Sequence, residues 1–80
     1  MTEKQLFKRL SFQQNRFIGL SKYSFHLTYY GNISCNSHFT VYIHGQDHNV
    51  IFNNSYNLLM DDINIKLKRL KDFVDELVEQ

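Results

Sequence analysis

The stretch YSFHLTYYGNISCNSHFTVYIH, residues 23–44, decides the fold of this chain. Apolar and polar residues alternate on both sides of its centre, from Tyr23 to Tyr30 and again from His38 to His44. A period of two places successive side chains on opposite faces of a β-strand, so each run predicts a half-buried strand. The stretch therefore predicts an antiparallel hairpin with one apolar face and one polar face.

The positions of the apolar residues constrain the loop that joins these strands. Both strands carry their strongest apolar residues at odd positions, and directly opposed residues of an antiparallel pair point to the same face. A two-residue turn at Gly31 and Asn32 would set odd positions against even ones, so we predict an odd-length connection or a bulge. A loop over residues 31–35 gives Tyr23 opposite Ile43, Phe25 opposite Val41, Leu27 opposite Phe39 and Tyr30 opposite Asn36.

Helical patterns precede and follow the hairpin. Thr2 and Gln5 have the spacing of a capping box at the start of a first helix over about residues 3–16, with a break near Ser11 left open. Toward the other end of the chain, apolar residues step by three or four and predict a long amphipathic helix over residues 56–79. They are Tyr56, Leu59, Ile63, Leu67, Leu70, Val74 and Leu77.

A short third strand completes the predicted sheet. It follows a turn at residues 45–49 and places Val50 and Phe52 inward, which leaves Ile51 exposed on the polar face. Residues 1–80 are thus predicted to form a single α+β domain of two layers, in the order helix, three-stranded antiparallel meander, long C-terminal helix.

Length and composition narrow the class of protein. The 80 residues, 42% hydrophobic and 21% charged, are typical of one soluble globular domain whose small core leaves little room for an enzyme pocket. The single cysteine, Cys35, cannot form an internal disulfide, and the chain has neither an export leader nor about 18 consecutive apolar residues. We expect a cytoplasmic protein that does not enter a membrane.

Metal binding and catalysis are not expected. Imidazole and thiolate groups suit zinc, but the chain has no CxxC or HxH pair, and a face of Tyr, Thr and His is typical of a solvated sheet. The residues weighed as ligands are His26, His38, His44, His48 and Cys35. The sheet region supplies a single carboxylate, Asp47, and the isolated glycines cannot build a phosphate loop. We therefore predict no catalytic residue, no metal and no cofactor.

Nucleic-acid binding is the alternative function. The order of elements resembles that of the double-stranded RNA-binding domain, and HFTVYIHG, residues 38–45, is similar in character to the central strand of that family. The resemblance implies a basic cluster at the start of the last helix, where this chain has Asp61 and Asp62. The later cations of that helix are interpreted as a solvated face. The alternative therefore uses the basic first helix, with Lys4, Lys8, Arg9 and Arg16.

Protein binding is the function that the residues favour. The middle third of the chain, residues 23–57, contains one carboxylate and no Lys or Arg, and interface centres are depleted in charge and enriched in aromatic residues. On the sheet we expect the partner to contact His26, Thr28, Tyr30, His38, Tyr42 and Ile51. The unpaired edges of a three-stranded sheet also allow a homodimer.

The acidic end of the chain suggests what that partner is. Asp72, Asp75, Glu76 and Glu79 lie where the helix dipole disfavours negative charge. Residues with AT-rich codons supply 32 of the 80 positions, as in low-GC bacteria and their phages. In size, composition and layout the chain resembles small phage-encoded inhibitors of host machinery of the anti-CRISPR type. The resemblance implies a steric inhibitor of a host nucleic-acid-handling or defence complex, with the acidic residues facing a basic channel.

Overall fold

The computed structural model describes residues 1–31 and 38–79. Its elements in chain order are α1 (Glu3–Asn15), β1 (Ser24–Tyr30), β2 (His38–His44), β3 (Val50–Tyr56) and α2 (Ile63–Val78). The strands form one antiparallel sheet in the order β1-β2-β3, and both helices bury apolar residues against the same face of it. The predicted α+β architecture is confirmed. In the part of the chain that the structure describes, no helix is long and apolar enough to cross a membrane.

The hairpin register differs from the prediction by two residues. Phe25 lies opposite Ile43 and Leu27 opposite Val41, and Tyr30 faces His38. The predicted pairs, Phe25 with Val41, Tyr23 with Ile43, Leu27 with Phe39 and Tyr30 with Asn36, are therefore wrong. The reason is the length of the connection, because seven residues separate β1 from β2 rather than five. Seven is still odd, so the odd positions of both strands face the helices as expected.

A bulge in the sheet changes the third strand. Ile43 pairs with Phe52 but His44 pairs with Val50, so one residue of β3 is left over between them. At a bulge two residues oppose one, and Val50 and Ile51 both come to lie opposite His44 on the face away from the helices. The prediction that Val50 points inward is wrong, since 53% of it is exposed. Ile51 is exposed, as expected.

The third strand also extends further than expected. It ends at Tyr56, which is buried opposite Phe39 in the sheet and does not begin the last helix. That helix begins at Ile63, so its predicted start at residue 56 is wrong. The helical spacing of residues 56–63 is coincidental, because turns occupy residues 57–62 and Leu59 points to solvent.

The first helix forms as its caps predict. The Thr2 hydroxyl accepts a hydrogen bond from the Gln5 backbone N–H, and the Gln5 side chain accepts one from the Thr2 N–H. The helix continues through Ser11 without a break. Gly19 then takes a φ of +90°, a conformation that favours glycine and turns the chain toward β1.

The core lies between the sheet and the two helices. Its completely enclosed members include Leu10, Val41 and Leu70, one each from α1, β2 and α2. The Tyr56 ring is also enclosed, and the Lys66 ammonium lies 5.6 Å from its centroid. The same ammonium donates to the Ser55 carbonyl oxygen at 2.6 Å, which ties the first turn of α2 to the end of β3.

Candidate functional site

The structure brings the predicted sheet residues together on one surface. We call it the outer sheet face: the side chains of the three strands that point away from the helices. Its members include His26, Thr28, Tyr30, His38, Thr40, Tyr42, His44 and Ile51. All six sheet residues predicted to contact a partner are among them. Thr40 and His44 lie on the same face without being among those six, since their even positions in β2 give their side chains the same direction.

Two ring pairs organise the outer sheet face. The Tyr30 and His38 rings stack with centroids 5.0 Å apart and an interplanar angle of 21°. The His26 and His44 rings lie 4.8 Å apart at the other end of the hairpin. Directly opposed residues of an antiparallel pair are close enough for such contacts, and diagonal neighbours are within reach of large rings. Each of these four rings is therefore packed against another ring of the sheet.

The absence of Lys, Arg, Asp and Glu distinguishes this face from the rest of the described molecule. None of the three strands contains Lys, Arg, Asp or Glu. The helices and their flanks carry nearly all the ionised groups. Thr40, at the centre of the face, is buried by its neighbours in the sheet, and among the described residues neither helix packs on this side. The result is a surface without Lys, Arg, Asp or Glu, on which Tyr30 and Ile51 are among the exposed side chains.

The acidic residues of α2 do not belong to this surface. Helix α2 packs on the other side of the sheet, where Leu70 and Val74 enter the core. Asp75 forms salt bridges within the protein: its carboxylate oxygens lie 2.6 Å from the Arg16 guanidinium and 3.0 Å from the Lys71 ammonium. Hydrogen bonds from Lys71 and then Arg16 hold the pKa of Asp75 below its usual value. An ion pair between the two helices thus accounts for one of the four charges that the helix dipole disfavours.

The other three acidic residues are exposed. Asp72, Glu76 and Glu79 form no salt bridge within the described residues. They remain free to face a partner, but on a different side of the molecule from His26 and Tyr42. The predicted binding residues therefore divide into two separate surfaces.

A groove between α1 and α2 is a feature that sequence reasoning missed. Its cavity measures about 530 Å³ and is lined by Lys8, Arg9, Phe12, Gln13, Asn64, Leu67, Lys68, Leu70 and Lys71. The prediction treated the cations of α2 as an ordinary solvated face. One signal was available in the sequence: Phe12 is a large apolar residue of α1 that shares a helix face with Lys8 and Arg9.

No metal centre is formed by the residues that the structure describes. Among them, no group of three or more His, Cys, Asp or Glu side chains is placed to hold an ion. Cys35, one of the ligands weighed above, lies outside the described residues, as does Asn36. The two histidines that do meet, His26 and His44, make a ring contact without a third donor.

We compared the chain with known protein families, curated proteins and solved structures. No protein family, curated protein or solved structure matches this chain. The function must therefore be argued from the surfaces themselves.

Proposed function

We propose that this protein is a non-catalytic protein-binding module whose outer sheet face docks against another protein. One observation carries the proposal: a three-stranded sheet leaves a whole face uncovered, and its strands hold no ionised Lys, Arg, Asp or Glu. The solvent-exposed surface of a small soluble domain commonly carries charged residues, which keep the protein soluble. Their absence from one continuous face is typical of a surface that a partner covers.

The physical cost of covering this face is low. Burying an ionised side chain requires removing its water, and that penalty often exceeds what a new ion pair returns. The strands of the outer sheet face hold no Lys, Arg, Asp or Glu, while Tyr30 and Tyr42 combine large apolar rings with hydroxyl groups that can hydrogen-bond across an interface. The stacked Tyr30 and His38 rings are already ordered, so less side-chain freedom is lost on binding.

The finer part of the proposal is steric inhibition of a nucleic-acid-handling or defence complex in a bacterial host, in the host cytoplasm. It rests on the resemblance to small phage-encoded inhibitors and on the exposed carboxylates of Asp72, Glu76 and Glu79. Negative charge steers a protein toward basic channels that bind nucleic acid. Asp75 is not part of this surface, because Arg16 and Lys71 already neutralise it.

Two isoleucines provide a matched test of the docking face. Ile51 is 40% exposed on the outer sheet face, and Ile65 is 56% exposed on α2. Ile51→Glu and Ile65→Glu add the same charge to exposed positions on opposite sides of the domain. Circular dichroism would first establish that both variants fold like the wild type.

The assay is capture from a lysate of a low-GC bacterium with the tagged protein, after nuclease treatment. We expect wild type and Ile65→Glu to retain the same protein, and Ile51→Glu to lose it. A partner that depends on intact nucleic acid, or that Ile51→Glu retains as well as wild type, contradicts the proposal. Reversing Asp72, Glu76 and Glu79 to Lys tests the finer part, since unchanged affinity for a basic partner removes it.

A further inference from the structure

We propose that the groove between α1 and α2 is a second binding site, which takes an acidic amphipathic helix of a protein partner. The groove lies on the helix layer, away from the outer sheet face, so the inference is independent of the function proposed above. It rests on the shape of the groove, on the apolar residues inside it and on the charges along both of its sides.

The two helices run in the same direction and frame the groove along its length. Gln5 in the first half of α1 and Asn64 at the start of α2 line one pocket, and Arg16, directly after α1, bonds to Asp75 near the end of α2. With thirteen residues, α1 extends over roughly 20 Å. The residues that line the groove run from Lys8 to Gln13 in α1 and from Asn64 to Lys71 in α2, and the Arg16–Asp75 ion pair joins the helices beyond them. At 1.5 Å per residue the longer side measures roughly 12 Å, which is about two turns of a further helix.

Apolar side chains line the inside of the groove. They are Phe12 from α1 and Leu67 and Leu70 from α2. Phe12 is 63% exposed and lies outside the core cluster, so its ring contributes little to the stability of the isolated domain. An exposed ring at the wall of a concave apolar site is typical of a position that an incoming side chain covers.

Cations follow both sides of the groove. Lys8 and Arg9 lie on the α1 side, and Lys68 and Lys71 on the α2 side, with no carboxylate among the lining residues. In the described part of the chain, Lys8, Arg9 and Lys68 form no salt bridge. Lys71 bonds to Asp75 but its side chain is 59% exposed. The sides of the groove therefore match a ligand that is negative along both edges.

An acidic amphipathic helix fits this combination. Such a helix inserts a row of apolar anchors at i, i+3 or i+4, and i+7 into a groove, and its Glu or Asp residues on either side of that row would meet the two lines of cations. A nucleic acid would use the cations and leave Phe12 and Leu67 uncovered. A fatty acid would leave its chain open to water, because the groove has no roof. A bound helix would lie over the apolar side chains of the groove and shield them from water with its own backbone and outer face.

The test uses displayed peptides of about 14 residues, enough to span the groove as a helix. Four positions at helical spacing are drawn from Leu, Ile, Phe and Met, and the flanking positions from Glu and Lys. We expect selected peptides to carry Glu at the flanking positions. The affinity of the best peptide is then measured against Lys8→Glu/Lys68→Glu and against Lys22→Glu/Arg69→Glu, which makes the same charge change outside the groove.

The groove variant is expected to bind the peptide at least about tenfold more weakly, and the control variant to stay within about twofold of wild type. Phe12→Ala should weaken binding as well without unfolding the domain, since the ring is exposed. Selection of no peptide, enrichment of Lys at the flanks, or equal weakening by both double variants overturns the inference. Tighter binding of an RNA duplex or of palmitate, lost in the groove variant, assigns the site to those ligands instead.

Ile51→Glu separates this inference from the proposed function. It changes the outer sheet face only, so it should leave peptide affinity at the groove unchanged. Failure of the groove and failure of the sheet face are therefore visible in different variants.

Discussion

The hydroxyl of Tyr56 gives the sharpest test of how this small core is packed. The side chain is fully enclosed between the sheet and α2, and its oxygen makes no well-aligned hydrogen bond within the described residues, although the Asn54 side chain lies near enough to lower its pKa. Leaving a buried polar group unsatisfied costs about 1–3 kcal/mol, because its bonds to water are lost on folding. Tyr56→Phe removes that group but keeps the ring, including its position beside the Lys66 ammonium. We expect this variant to be more stable than wild type by about 1 kcal/mol.

The effect is measured by urea unfolding at neutral pH, and by the melting temperature, which should rise by about 4–8 °C for 1 kcal/mol in a domain of this size. Tyr30→Phe is the matched control, since the Tyr30 ring is half exposed and its hydroxyl reaches water; its stability should change by less than about 0.5 kcal/mol. A loss of about 1 kcal/mol or more in Tyr56→Phe would refute the reasoning, because it would mean that the hydroxyl makes a bond in the folded state.

The same residue makes stability depend on alkaline pH. Burial raises the pKa of the Tyr56 hydroxyl, and the nearby Asn54 side chain offsets only part of the rise. Tyrosine in the unfolded chain ionises near pH 10, whereas the hydroxyl of Tyr56 in the folded protein is still protonated at that pH. Above about pH 10 the unfolded state therefore binds fewer protons than the folded state, and the free energy of unfolding falls as the pH rises. Tyr56→Phe should lose less over that range than wild type.

Three further predictions concern the helices. Asp75→Asn should lower the urea midpoint at neutral pH. Because Lys71 and Arg16 lower the pKa of Asp75, its carboxylate stabilises the fold above the ordinary carboxyl range, and this stability is lost as the pH falls through its own pKa. The difference from wild type should therefore vanish in acid, and a difference that is constant with pH would contradict the ion pair. Leu70→Ala should cost about 2–5 kcal/mol or unfold the domain, whereas Leu59→Ala should change stability by less than about 0.5 kcal/mol; similar losses would place Leu59 in the helix stripe after all. Thr2→Ala should cost about 1 kcal/mol in thermal unfolding through loss of the capping box, and no loss would mean that α1 does not depend on this cap.

Much of the fold follows from local patterns in the sequence. Alternation between Tyr23 and His44 gives the hairpin, and the parity of its apolar positions gives the odd-length connection. Parity cannot distinguish five connecting residues from seven, because a slip of two leaves every side chain on its own face. The register is therefore settled by which pairs pack best across the sheet, and that is not a local property.

The third strand shows a second limit. The run Asn53, Asn54, Ser55 has poor strand propensity, yet it pairs with β2 because Phe52 and Tyr56 on either side of it enter the core. Tyr56 also stands three residues before Leu59, which stands four before Ile63. This helical spacing is why the predicted helix began seven residues before the observed start at Ile63. Tertiary burial overrides propensity at both places.

The surfaces were predictable to different degrees. Strand parity gives the outer sheet face as soon as the strands are known, and its six predicted members lie there together. The groove could not be derived in this way, because Lys8 and Lys68 are sixty positions apart and meet only when α1 and α2 pack side by side. The pairing of Arg16 with Asp75 has the same origin.

We propose above all that the outer sheet face binds a protein. The most direct test of this proposal is the affinity of the nuclease-resistant partner for Ile51→Glu and Ile65→Glu, measured by titration calorimetry beside wild type. The account predicts that Ile51→Glu weakens binding by at least about tenfold, because it places a charge in a face that is desolvated on docking, while Ile65→Glu binds like wild type. Equal affinity of the two variants would contradict it.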